Sequence, residues 1–207
     1  MNDLFVAFAA AFFVPLLFQS SKVAILGLAV QGVLLAMVPA SHVHEWNAQL
    51  ILECGLLVVL RSIVAPILIY RNTDASLKGQ EFSLIGKNIF QWTIAGLLMA
   101  SAYFLGNNLA PESREEALQV GTAAGCILIG MLILSNQSSR LGQVIGLLTI
   151  ESGMALVELL SPHAMPLPVS LGVNVVYVFL LLTIRIYLKQ PSAEEISSSS
   201  KEDEVVA

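Results

Sequence analysis

Seven apolar runs, each about 15 to 24 residues long and parted by short polar connectors, leave this chain few folds to choose from. They lie roughly at Leu4 to Phe18, Lys22 to Val38, Gln49 to Tyr70, Asn88 to Leu109, Glu116 to Ser135, Leu141 to Ser161 and Met165 to Leu188. As an α-helix, a run of this length crosses about 30 Å of hydrocarbon if its ends snorkel or the helix tilts. Charged residues make up only 12% of the 207, and mean hydropathy is +0.79. A soluble domain carries about twice that charged share. The expectation is an all-α, polytopic transmembrane helix bundle of about seven spans. The first run has no positive segment before it, and Lys22 follows it, so it reads as a retained helix rather than a signal peptide.

Charge in the connectors orients the bundle. Lys22, Arg71, Lys78, Lys87, Arg140, Arg185 and Lys189 fall on one side, whereas the other side holds only Arg114, among Glu112, Glu115 and Glu116. By the positive-inside bias this places the N-terminus outside and the C-terminus in the cytoplasm. The chain then divides into a four-helix membrane region (1–110), a three-helix module (111–189) and a polar, Ser-rich, acidic tail (190–207) with nothing to bury. No basic cluster points to nucleic acid. Cys54 and Cys126 both fall within spans and read as small packing residues. His42 and His44 form a loop pair for which no third metal ligand is evident nearby.

The polar groups at membrane depth are the candidates for function. Glu151 lies near the middle of the sixth span, and Glu158 follows on the same helix face, about 10 Å along the axis. An ionisable group there costs several kcal/mol and persists only facing partners or water, so it marks a proton or ion pathway or a structural ion pair. Arg61 sits near the centre of the third span and cannot shed its proton, so it needs an anion or water. Glu151 is its best partner by depth. Glu53 lies nearer the outer end of the same span, and Pro66 is expected to disturb the bond to the Ser62 carbonyl beside the charge. Asn174 in the last span can hold water without titrating, while Gln31 and Gln119 suit either a polar lining or interhelical hydrogen bonds. The Gly121–Gly125 and Gly142–Gly146 spacings predict close packing of spans five and six.

The stretch SSRLGQVIGLLTIESGMALVELL resembles one in hydrogenase-4 component E and its relatives, where a loop arginine precedes xQxxGxxxxENG. It is also similar to the second helix of the K subunit of respiratory complex I, with Glu151 at that helix's glutamate, after Gly146 and before Gly153. Residues from about 117 to 189 then correspond to the three-helix K-like module. In span three, ECGLLVVLRSIVAPILIYRN is similar to the component E segment in which a basic residue precedes a proline and a terminal basic residue. Arg61 stands where that family usually has lysine. The K subunit carries a second glutamate in its third helix, whereas the nearest position here is Asn174. Glu158 substitutes only if it faces the same cavity.

The resemblance implies a non-catalytic membrane subunit of a complex-I-related, membrane-bound [NiFe]-hydrogenase assembly of the formate hydrogenlyase type, in the cell (inner) membrane. Implied partners are antiporter-like membrane subunits, a complex-I-like membrane anchor, peripheral hydrogenase subunits and membrane lipid. The [NiFe] centre and iron–sulfur clusters are expected in those partners, with no cofactor in this chain. Glu151, Arg61, Glu158, Glu53 and Asn174 are the candidates for a proton or ion pathway, Arg61 tuning Glu151 by its opposite charge. Two other readings stand beside this one: a K-like subunit of a multisubunit cation/proton antiporter, and a purely structural assembly subunit.

Overall fold

The computed structural model describes residues 6–11, 20–41, 48–73, 89–159 and 167–189, and every regular element among them is helical. In order these are α1 (Ser21–Ser41), α2 (Ala48–Leu57), a π-helical stretch (Val58–Val64), α3 (Ala65–Asn72), α4 (Ile89–Leu109), α5 (Arg114–Asn136), α6 (Arg140–Glu158) and α7 (Leu167–Lys189). The π-helical stretch joins α2 to α3 without a break, so the three form one rod. Six of the resulting helices are long and apolar enough to cross a membrane: Ser21–Ala40, Cys54–Asn72, Ile89–Leu109, Arg114–Asn136, Arg140–Glu158 and Leu171–Lys189. Of the expected first span, only residues 6–11 are described, and they are helical. The His42–His44 pair and the tail lie outside the described residues.

The helices begin where local chemistry allows. Ser113 caps α5 by accepting from the Glu116 amide at 3.3 Å, and Glu115 and Glu116 in the first turn complement the helix dipole. Ser139 caps α6 in the same way, accepting from the Gly142 amide at 3.2 Å. Several hydroxyls within the spans bond the preceding turn, as Thr149 does to the Ile145 carbonyl and Ser152 to the Leu148 carbonyl. The outward-facing side chains are large and apolar: Phe104 is 71% exposed, Val176 67% and Phe179 64%. Such a surface suits hydrocarbon rather than water. The protein is therefore an all-α, multi-pass membrane bundle.

α4, α5 and α6 pack side by side with α5 in the middle. The far side of α6 meets α1 and α7, α1 meets the rod, and α3 meets α7. These contacts make a four-membered ring of α6, α1, the rod and α7.

The glycines act only in part as the sequence predicts. Spans five and six do pack closely, but Gly121 and Gly125 of the GxxxG pair face α4, against Tyr103 and Met99. Gly142 faces Gln137 in the preceding loop rather than a helix. The close approach of α5 to α6 uses Gly146 as expected, set against Gly130, together with Gly153 against the Ala123 carbonyl and Cys126. A Cβ on Gly153 would stand 2.8 Å from that carbonyl, too near to fit without moving a backbone.

Candidate functional site

Four helices contribute one polar or aromatic residue each near mid-span: Gln31 from α1, Arg61 from the π-helical stretch, Glu151 from α6 and Tyr177 from α7. Across the ring, the Arg61 guanidinium donates through Nη1 and Nη2 to the two carboxylate oxygens of Glu151, a bidentate ion pair. The side chains are 7% and 20% exposed respectively, so glutamate is the more open member. The Arg61 Cζ also lies 4.7 Å from the centre of the Tyr177 ring. A planar guanidinium suits both contacts at once, its edge holding the carboxylate fork while its face meets the aromatic ring. A lysine ammonium would supply the charge without either geometry.

The backbone explains how Arg61 reaches the site. Within the π-helical stretch the bonds run five residues back, as from the Ala65 amide to the Leu60 carbonyl. Pro66 follows directly, at the start of α3. Its missing amide would have bonded the Arg61 carbonyl on π pitch or the Ser62 carbonyl on α pitch. The expected disturbance beside Arg61 therefore takes the form of a wide turn that opens just before the proline. Gly32 lets α1 come close here, since a Cβ at that position would meet the Ser62 hydroxyl at 2.6 Å and Arg61 backbone at 2.9 Å. The Ser62 hydroxyl and the Gln31 Oε1 are both buried without a hydrogen-bond partner. Buried polar atoms of that kind favour a hydrated neighbourhood over a dry one.

The other expected residues fall around this pair rather than on it. Glu158 ends α6, half-buried and seven residues beyond Glu151 on the same face. Asn174 is half-buried on α7, one turn before Tyr177. Glu53 lies in α2, and its side chain is outside the described residues. Gln119 makes an interhelical hydrogen bond, donating to the Leu156 carbonyl at 3.4 Å, so it ties α5 to α6 and does not line the ring.

Tyr177 was missed by sequence reasoning. Its signal was depth: a tyrosine in the middle of a span, away from the interfacial belt, needs a reason to be there. A second cluster, also unforeseen, joins α6 to α7 at the basic end. There the Tyr187 hydroxyl donates to Gln143 Oε1, and Arg140 lies 5.6 Å from the Tyr187 ring.

Fold and site together define a multi-pass helical membrane protein built around a buried arginine–glutamate pair. Comparison with protein-family models, curated proteins and solved structures returns no match to this chain.

Proposed function

We propose that this chain is an integral membrane subunit of a complex-I-related, membrane-bound [NiFe]-hydrogenase assembly, resident in the inner cell membrane. Its part is to carry a section of a charged proton or ion pathway and to link membrane-arm subunits. The observation that carries this reading is the bidentate Arg61–Glu151 pair held across a ring of four helices near mid-span. Desolvating an ion pair at that depth is costly, so an ionisable group there marks a functional site by default, and Glu151 is the member able to exchange a proton. The resemblance of residues 117–189 to a K-like module, and of span three to component E, supplies the class of assembly. Antiporter-like subunits, a membrane anchor and peripheral hydrogenase subunits are the partners, and the [NiFe] and iron–sulfur chemistry resides in them.

Two experiments test this. Affinity purification of the tagged chain in mild detergent, followed by mass spectrometry, is expected to recover a [NiFe] large subunit together with antiporter-like subunits. Recovery of antiporter subunits without redox partners would move the assignment to cation/proton exchange, and a chain that purifies alone would defeat both. In the assembled complex, Glu151→Gln is expected to abolish proton translocation, and unchanged pumping would remove Glu151 from the pathway.

A further inference from the structure

The ring does not pack alike on the two sides of the ion pair. One turn toward the end that carries Arg71, Arg140 and Lys189, each helix places an apolar residue on its ring face: Leu28, Ala65, Leu148 and Leu181. They are 7%, 2%, 3% and 3% exposed. A second turn repeats the pattern with Ala24, Ile69, Val144 and Ile184, none more than 2% exposed. All eight belong to one continuous buried cluster. Two stacked apolar layers thus close the basic end of the ring.

The opposite side is built differently. α1 and α6 stay packed, with Leu35 and Ala155 buried. Along the rod from residue 48 to 60, and along α7 from 171 to 176, no described side chain is buried. The ring-facing groups there include Asn174 one turn from Tyr177, Cys54 two turns from Arg61 and Glu158 two turns from Glu151. The ring is therefore tightly packed at and below the ion pair and more loosely packed above it, where polar groups share its inner face.

We propose that water and small cations reach the Arg61–Glu151 pair from the acidic end alone, through the more loosely packed half of the ring, while the two apolar layers close it to the basic end. This deepens the proton-pathway reading and rests on it for its purpose. A group open to one side only can pass a proton across the membrane only after the layers part, which makes them the gate.

The test uses cysteine labelling in membrane vesicles of both orientations, with the full complex present and native Cys54 and Cys126 replaced by alanine. The probe is a membrane-impermeant, cationic methanethiosulfonate. Lys189→Cys and Glu112→Cys report which end faces the reagent. Asn174→Cys and Leu181→Cys lie on one face of α7, on either side of Tyr177, and Leu148→Cys adds a second position within the apolar layers, on α6. Expected is labelling of Asn174→Cys from the acidic end at least about tenfold faster than of Leu181→Cys or Leu148→Cys from either end, because a thiol in dry apolar surroundings is inert. Labelling of Leu181→Cys or Leu148→Cys from the basic end at a comparable rate would overturn the proposal, as would an Asn174→Cys that is refractory from both sides. A pumping Glu151→Gln variant would defeat the pathway reading while leaving this labelling pattern intact, so the two failures are distinguishable.

Discussion

Removing the charge from Arg61 alone should destabilise this protein more than removing both charges of the pair. Arg61→Met keeps most of the side-chain volume and the contact with the Tyr177 ring but leaves the Glu151 carboxylate without its two donors. Breaking a buried pair from one side costs about 3–5 kcal/mol, and the 7% and 20% exposures put this pair in that class rather than among surface pairs. At about 2–4 °C per kcal/mol for a chain of this size, the apparent melting temperature should fall by about 6–20 °C. Glu151→Leu should fall in the same range, because Arg61 then keeps an uncompensated charge. The double variant Arg61→Met/Glu151→Leu replaces both groups with apolar ones and should recover most of the loss, leaving a coupling of about 3 kcal/mol or more. The assay is heating of the detergent-solubilised chain followed by size-exclusion detection of the surviving species. Single variants whose losses simply add in the double variant would refute the view that the two groups stabilise the ring through each other.

Further outcomes follow from individual contacts. Gly153→Val should lower stability by about 1–3 kcal/mol in the same assay, since its side chain meets the Ala123 carbonyl and Cys126 with no room to relax. Gly172→Ala should be near neutral, because a Cβ there meets nothing within 4 Å. Ser139→Ala removes the cap of α6 and should cost about 1 kcal/mol, whereas Ser139→Asp should retain the cap. Tyr177→Leu should lose about 0.5–2 kcal/mol with the cation–π contact, and Tyr177→Phe should keep most of it, which separates the ring from the hydroxyl.

How much of this was legible beforehand varied with the range of the cause. The spans were readable because a segment in lipid must satisfy every backbone amide within itself, so length and apolarity decide locally. Observed ends such as Arg114–Asn136 and Arg140–Glu158 fall within a few residues of the apolar runs. The Arg61–Glu151 pairing was also readable, because two charges buried at one depth have few other partners. Gly121 and Gly125 misled because a small residue permits close approach without naming the neighbour, and here the neighbour is α4.

By itself, then, the sequence determined an all-helical membrane bundle and the depth of its charges, since both depend on composition along single segments. Tertiary structure alone decided which faces meet: the π-helical turn that aims Arg61, the Tyr177 ring beneath it, the four-helix ring and its one-sided apolar layers. The physical reason is that these helices are apolar almost all round, facing lipid on one side and protein on the other. Periodicity therefore carries little record of orientation, and only packing between distant segments supplies it.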